Sequence, residues 1–174
     1  MVRPTREYTF IKMAELLAAR TTCIRRGVGC VLTDMYGKVL STGYNGVASG
    51  MPHCNESQIK VLKHGEWEHY PNACEGADSP SGTNLHQCLA IHAEQNALLQ
   101  CPDVRDICYA YVTCSPCMHC MKLLMNTGCR IIYYLEEYDA AALNLWNNRG
   151  PGYGTFKLNL RNDGTFIAEG RMGT

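Results

Sequence analysis

The stretch that decides the fold is VTCSPCMHCMK, residues 112–122. It contains Cys114, Cys117, His119 and Cys120, and an apolar helical pattern follows it directly. Cysteines at this spacing can form a disulfide, a closed structural metal site or one half of a catalytic metal site. The rest of the sequence has to be considered to choose between these three interpretations.

The composition fits a single domain over residues 1–174, because 46% of its residues are hydrophobic and can form a core of ordinary size. Sixteen basic and sixteen acidic residues give zero net charge, so the chain lacks the basic bias of proteins that bind long nucleic acid. The N-terminal segment is too charged for a signal peptide, and no window is apolar enough for a membrane span. We therefore expect a cytoplasmic protein without membrane contact, whose eleven cysteines favour metal binding over disulfides.

The N-terminal third predicts a helix followed by a β-hairpin. Apolar residues repeat at the helical spacing across residues 7–20. Two β-rich runs, residues 28–33 and 38–44, flank a turn in which Gly37 can supply positive φ.

Further along, helix-like and strand-like segments alternate, which is typical of a layered α/β sheet. These segments are AIHAEQNALLQC (90–101, helix), DICYAYVTC (106–114, strand), CMHCMKLLMNTG (117–128, helix), CRIIYYL (129–135, strand) and 139–148 (helix).

Two regions fall outside this alternation. Residues 47–85 are rich in Gly, Pro, Ser, Asn and His, with a short helix predicted over 56–65, and such a long irregular insertion is usually functional or fixed by a bound group. Residues 150–174 form a C-terminal tail in which GTFKLNL and GTFIAEG are either edge strands or irregular.

The segments HAE and PCMHC contain the residues for a metal site. Cys117 and Cys120 lie at i and i+3 of a helix start, and His92 at another helix start would complete a tetrahedral zinc site with one open position. Zinc lowers the pKa of a water in that position towards about 7. Glu94 is placed to take the water's proton and pass it on, as hydrolytic deamination requires.

A closed structural site, with Cys114 as fourth ligand, is the competing interpretation. The open site is favoured because a closed site would not require Glu94. His119 points to another helical face and is placed outside the ligand set.

HAE followed downstream by PCMHC is the H-x-E and P-C-x-x-C signature by which zinc deaminases are recognised. TTCIRRGVGCVLTD, STGYNGVASGMPHC and AIHAEQNALLQC resemble the deoxycytidylate (dCMP) deaminases of bacterial and phage type, within the zinc-dependent cytidine/deoxycytidylate deaminase superfamily. The resemblance covers about residues 7–140.

This resemblance implies a three-layer α/β/α cytidine-deaminase-like fold with a five-stranded mixed sheet. It also implies conversion of dCMP to dUMP and ammonia, which supplies dUMP for dTTP synthesis. Activation by dCTP, inhibition by dTTP, a Mg²⁺ ion carried by the triphosphate and a homo-hexamer are expected by the same resemblance.

The resemblance also assigns roles to individual residues. It makes His92, Cys117 and Cys120 the zinc ligands and Glu94 the general acid and base. For the substrate it implies Asn45 at the sugar, Arg25 or its competitor Arg26 at the 5′-phosphate, and Tyr134 and Tyr138 near the nucleotide. The effector site is expected at Gly43, Tyr44, Asn45 and Gly46.

A second group of thiols and one imidazole lies in the insertion and around it. The resemblance implies a second, structural zinc, as in phage-type relatives, whose cysteines match Cys23 and Cys54 here. The remaining ligands vary in position among relatives, and the further candidates here are Cys74, His86 and Cys88. A closed second site would stabilise an insertion that lacks a core of its own, whereas the alternative is a set of buried or free thiols.

Other functions remain open at this stage. One alternative is deamination of another base, in cytidine, deoxycytidine or tRNA adenosine; the neutral charge disfavours a tRNA substrate, and Arg25 disfavours a nucleoside. A non-catalytic zinc-binding module is the other, and Glu94 argues against it because such a module gains nothing from a carboxylate there.

Overall fold

The computed structural model describes residues 3–54, 60–63, 66–69, 76, 79–80, 83–84, 87–161 and 165–173. A six-stranded mixed sheet lies between two layers of helices. Among the described residues, no helix combines the length and apolar character that a membrane crossing needs.

The N-terminal elements match the sequence prediction closely. Helix α1 (Arg6–Ala18) begins where the Thr5 hydroxyl accepts a hydrogen bond from the Tyr8 N–H. Strands β1 (Gly29–Thr33) and β2 (Val39–Tyr44) form the predicted antiparallel hairpin. Gly37 has φ of 87° in its turn, a conformation that favours glycine.

The predicted alternation of helices and strands is also confirmed. Strands β5 and β6 pair in parallel, and β1 pairs antiparallel with β5, so the sheet is mixed. The elements are α2 (Ala93–Gln100), β5 (Tyr109–Cys114), α3 (Met118–Met125), β6 (Ile131–Glu136) and α4 (Ala140–Asn147).

The C-terminal segment forms two strands of the sheet, so the prediction of five strands was one short. Strand β7 (Gly154–Leu160) pairs in parallel with β6, and β8 (Phe166–Met172) pairs antiparallel with β7. The order of the strands is β2-β1-β5-β6-β7-β8. The sequence left this open because both segments are short and are polar on one face, as an edge strand and an irregular tail can both be.

Two packed cores hold the layers together. Helices α2, α3 and α4 bury apolar side chains against one face of the sheet, including Ala97, Leu124 and Trp146. Helix α1 covers part of the opposite face, through Phe10 and Ile11.

The insertion contains a second, two-stranded sheet. Strands β3 (Lys60–Lys63) and β4 (Glu66–His69) pair antiparallel. The helix predicted over residues 56–65 is therefore wrong at residues 60–63, and the other predicted positions, 56–59 and 64–65, lie outside the described residues. Residues 60–63 form a strand because they pair with β4, and local composition does not reveal such a partner.

Candidate metal centre

The structure brings the imidazole of His92 together with the thiols of Cys117 and Cys120. Nδ1 of His92 lies 3.5 Å from Cys117 Sγ and 3.4 Å from Cys120 Sγ. The three possible ligand atoms lie within 4.8 Å of one another, and the described residues contain no other such group. One imidazole and two thiolates suit zinc, and three protein ligands leave one position for a small molecule.

His92 is held at the start of α2, as the residue preceding its first turn. Its backbone N–H donates to Gln95 Oε1 over 2.9 Å, and its carbonyl accepts from the Asn96 N–H. Gly43 of β2 lies directly beneath this turn, and a Cβ atom there would overlap the Ala93 carbonyl oxygen. Helix α2 can lie this close to β2 because residue 43 has no side chain.

Cys117 and Cys120 come from the first turn of α3, where Cys117 is the N-cap residue. Asp139 links this turn to the next helix. Its Oδ2 accepts from the Met118 N–H over 3.1 Å, and its Oδ1 accepts from the Ala142 N–H over 3.0 Å. One carboxylate therefore caps both α3 and α4.

The two thiols and the imidazole perturb one another. A hydrogen bond from Cys120, together with the nearby His92, lowers the pKa of Cys117 to about 3, while the same contact and burial raise the pKa of Cys120. The hydrogen bond to Cys117 raises the pKa of His92. A cation bound between these groups would favour the deprotonated form of all three.

Glu94 is buried beside the metal ligands, with only 3% of its surface exposed. It lines the same cleft as His92 and Cys117. Burial raises the pKa of the Glu94 carboxyl to about 7. A buried carboxyl with this pKa can both accept and release a proton near neutral pH.

Cys114 does not join the metal ligands. It is buried at the end of β5, and its Sγ accepts a hydrogen bond from Arg26 NH1 over 2.9 Å. Arg26 NH1 also lies 3.6 Å from Glu136 Oε2, and its guanidinium lies 5.7 Å from the Tyr138 ring centroid. The competing site, closed by Cys114, is not the arrangement that the structure shows.

Arg25 lines the cleft but is engaged with the insertion. Its NH2 group donates to the carbonyl oxygens of Pro80 and Thr83, the latter over 2.7 Å. Nε of Arg25 is buried and has no hydrogen-bond partner among the residues that the structure describes. Of the two candidate arginines, Arg25 is thus occupied with backbone carbonyls while Arg26 faces Cys114 and the cleft.

Asn45 also lines the cleft, and its side-chain amide organises the segment that bears both arginines. Oδ1 accepts from the Val28 N–H over 2.7 Å and from the Thr21 hydroxyl over 2.9 Å. Nδ2 donates to the Arg26 carbonyl over 2.7 Å. One N–H of the amide is therefore left for another acceptor.

The segment Gly43 to Gly46, the predicted effector site, is tied to α2. The Tyr44 carbonyl accepts from Asn96 Nδ2 over 2.8 Å. Gly46 and Ile91 exchange two backbone hydrogen bonds of 3.1 and 2.8 Å, one residue before His92.

The two tyrosines predicted near the nucleotide lie in different places. Tyr138 lines the cleft. Tyr134 is 6% exposed, lies in the core beneath α4 and lines a different cleft, so the structure does not bring it to this site. Side chains alternate along β6, and Tyr134 lies on the face that α2, α3 and α4 cover.

Sequence reasoning missed two residues that shape the site. Ser115 is 2% exposed, and its Oγ accepts from the backbone N–H of Tyr138 over 2.8 Å, which fixes Tyr138 at the cleft. Asp139 caps α3 as well as its own helix. An aspartate before an apolar helical run is a recognisable N-cap signal, but no local pattern reveals its second contact.

The second group of thiols is only partly described. Cys54 is buried against Val47 and Cys88, and Cys23 is half-buried. Cys74 and His86 lie outside the described residues.

Comparisons with known proteins found similar sequences and similar solved structures. Residues 4–136 match the family model described as "Cytidine and deoxycytidylate deaminase zinc-binding region". A protein named deoxycytidylate deaminase from Mycobacterium phage D29 is 34% identical over 79% of this chain and 99% of its own length. A protein of the same name from Saccharomyces cerevisiae is 30% identical over 86% of this chain.

Among solved structures, dCMP deaminase from the cyanophage S-TIM5 in complex with dCMP and dUMP has a TM-score of 0.54 and 26% identity. The matched region covers 79% of this chain and 86% of the cyanophage chain. The chain spans less than half the length of the two yeast relatives, 44% of the Saccharomyces cerevisiae protein and 39% of the Schizosaccharomyces pombe protein.

Proposed function

The chain belongs to the cytidine and deoxycytidylate deaminase zinc-binding family, and from this premise we propose that it converts dCMP and water to dUMP and ammonia. The observation that carries the proposal is the juxtaposition of a buried carboxyl, Glu94, with the donors His92, Cys117 and Cys120 at one cleft. A metal site serving structure alone has no use for that carboxyl.

The chemistry requires proton transfer at two places. Glu94 would take one proton from the attacking water and pass it to the ring nitrogen of cytosine. It would then take the second proton, from the hydroxyl now bonded to the ring carbon, and deliver it to the amino group, which leaves as ammonia while the carbonyl forms. Its burial keeps bulk water away and its raised pKa matches both roles. His92, Cys117 and Cys120 would hold zinc, which when bound acts as a Lewis acid that makes water a better nucleophile.

Substrate choice within the family depends on the 5′-phosphate. The names of the relatives support dCMP, since the phage D29 and yeast proteins are named deoxycytidylate deaminases. Within this chain, Arg26 is the better phosphate residue. Two backbone carbonyls hold Arg25, whereas Arg26 contacts a thiol, Cys114 Sγ, and the exposed carboxylate of Glu136. A guanidinium can bind a phosphate through two parallel hydrogen bonds.

Two further residues support nucleotide binding in the same cleft. Asn45 retains one amide N–H that can donate to a sugar hydroxyl. Tyr138 presents a ring at the cleft wall, where an aromatic face can stack on a base or sugar.

Regulation by dCTP and dTTP with Mg²⁺ belongs to the same proposal. Its support is the direct contact of Tyr44 and Gly46 with the segment that carries His92, so an effector there would act on the metal ligand without a long path.

The homo-hexamer is likewise part of the proposal, and a second structural zinc is supported by the packing of Cys54 against Cys88. A cytoplasmic location is also part of the proposal, since a reducing compartment keeps the thiols of Cys117 and Cys120 available to bind metal.

Ammonia release from dCMP, deoxycytidine and dCTP by purified protein of measured zinc content tests this function. We expect turnover of dCMP only, raised by dCTP and suppressed by dTTP in the presence of Mg²⁺. Equal turnover of deoxycytidine would contradict a phosphate-dependent site. Failure of all three substrates with a full zinc load would contradict the deaminase itself.

The phosphate assignment is tested by a matched pair of variants. Arg26→Ala should raise KM for dCMP about tenfold or more, the loss expected for a hydrogen bond to a charged group. Arg25→Ala should instead lower thermal stability of the insertion and change KM less. The reverse ranking of the two KM values would move the phosphate role to Arg25.

A further inference from the structure

Among the described residues, no strand pairs with the outer edge of β8. Strand β8 (Phe166–Met172) is the last strand of the sheet, and its register with β7 is regular over all seven residues. It contains no proline. The opposite edge strand, β2, has a register shift against β1 between Leu32 and Thr33. Regular, proline-free edges of this length are templates for pairing with another strand.

The backbone groups that face outward can be assigned. The Gly173 N–H donates to the Tyr153 carbonyl, and the Arg161 N–H donates to the Thr165 carbonyl, so odd-numbered residues of this segment face β7. By the alternation of an antiparallel ladder, the N–H and C=O groups of the even-numbered residues point away from it. These residues are Phe166, Ala168, Gly170 and Met172.

The two faces of β8 differ sharply. Even-numbered side chains are apolar and lie on the face that carries α1, since Phe166 contacts Tyr8 of that helix. Met172 is 41% exposed, and the neighbouring Leu160 of β7 is 63% exposed. On the other face, Glu169 and Arg171 are both exposed.

We propose that this edge pairs with β8 of a second copy of the chain, antiparallel, about a twofold axis through Gly170. An axis normal to the sheet keeps each face on its own side, so apolar residues meet apolar residues. In this register Glu169 lies opposite Arg171 of the second copy, and Arg171 lies opposite its Glu169. Moving the axis by one residue, to Glu169 or Arg171, places like charges opposite each other, so the charges select the register.

The same register satisfies the backbone. Gly170 pairs with Gly170 of the second copy, and Ala168 pairs with Met172 of the second copy. All of these residues have outward N–H and C=O groups, so they can form hydrogen bonds across the interface. Glu169 and Arg171 then form non-hydrogen-bonded pairs, in which side chains approach most closely. The absence of a side chain at Gly170 lets the two backbones meet at the axis. This surface is remote from the metal ligands, and the inference does not rest on the proposed reaction.

Charge reversal with complementation tests the surface. In Glu169→Arg and in Arg171→Glu, both cross-strand pairs become like-charged, and the self-association constant should fall about tenfold or more. An equimolar mixture of the two variants restores opposite charges at every pair and should restore association. The double variant Glu169→Arg/Arg171→Glu should also associate as the original chain does. Sedimentation velocity over a concentration series measures all four samples.

Controls and contrary outcomes are defined by the same samples. Lys122→Glu reverses an exposed charge on α3 and should leave association unchanged. A monomeric original chain, single variants that associate normally, or a mixture that fails to associate would each overturn the proposal. If another interface also joins copies, the single variants should form a smaller assembly than the original chain.

Hydrogen exchange gives an independent readout. The amides of Ala168, Gly170 and Met172 should become more protected as protein concentration rises, and this gain should disappear in Ala168→Pro. Proline at 168 removes an outward N–H and no bond to β7. Protection that is independent of concentration would overturn the proposal even if the protein associates elsewhere.

Discussion

Glu94 is the residue whose placement is hardest to explain by stability alone. Burying a carboxyl destabilises a fold unless the group is satisfied or neutralised, and burial raises the pKa of this one to about 7. A residue retained in such surroundings, next to a set of metal donors, indicates a chemical role.

Replacing Glu94 with glutamine should separate chemistry from metal binding. Glu94→Gln keeps shape and polarity but removes proton transfer, so turnover of dCMP should fall about 100-fold or more while zinc content is unchanged. Glu15→Gln, at an exposed carboxylate of α1, is the control and should leave both unchanged. Substantial turnover by Glu94→Gln would reject the proton-transfer role.

The two neighbouring cysteines should respond differently to removal. Cys117→Ala should lose most bound zinc, because it deletes a ligand, whereas Cys114→Ala should keep it, because Cys114 Sγ contacts Arg26. Metal content by mass spectrometry of the purified variants measures both. Equal zinc loss in the two variants would instead support the closed site, in which Cys114 is the fourth ligand.

At the scale of elements, the site is a meeting of two helix starts. The N-termini of α2 and α3 converge on the metal ligands, and their partial positive charges favour thiolate and carboxylate there. Gly43 allows α2 its close approach to β2, and Asp139 ties α3 to α4. The position of each ligand thus depends on contacts between elements.

Loss of the Asp139 carboxylate should weaken two helices at once. Asp139→Ala removes the caps of both α3 and α4, and because one cap contributes about 1 kcal/mol, the free energy of unfolding should fall by about 2 kcal/mol. Denaturant unfolding measures this loss. As a control, Asp106→Ala, at an exposed position, should lower the free energy of unfolding by about 0.5 kcal/mol or less. A loss no larger than the control's would show that the double cap contributes little.

At the scale of the whole molecule, metal binding and folding should be coupled. The donors come from residues 92, 117 and 120, which meet only in the folded chain, so an ion bound there stabilises the native state by mass action.

Removing zinc with a chelator should therefore lower Tm by several degrees, and added zinc should restore it. Differential scanning calorimetry of Cys117→Ala is the control, since a variant without the site should show no response to chelator. An unchanged Tm in the original chain after verified zinc removal would separate the metal from stability.

Local sequence patterns were enough to predict the metal donors and most of the helices and strands that hold them. Helical and strand periodicity predicted α1, the hairpin of β1 and β2, and the alternation from α2 to α4 within a few residues. The spacing of HAE and PCMHC predicted the grouping of His92, Cys117 and Cys120. The pairing of Cys117 with Cys120 is local, because a helix start places i and i+3 side chains together whatever the rest of the chain does. Their grouping with His92 joins distant residues, and it was predicted from the combined H-x-E and P-C-x-x-C signature.

Features that depend on contacts between distant residues became visible only in the folded chain. It placed Tyr134 in the core and Tyr138 at the cleft, engaged Arg25 with Pro80 and Thr83, and paired Cys114 with Arg26. It also turned residues 154–160 and 166–172 into the fifth and sixth strands of the sheet. Strand pairing and side-chain contacts across the sheet join residues far apart in sequence, and no local pattern specifies them.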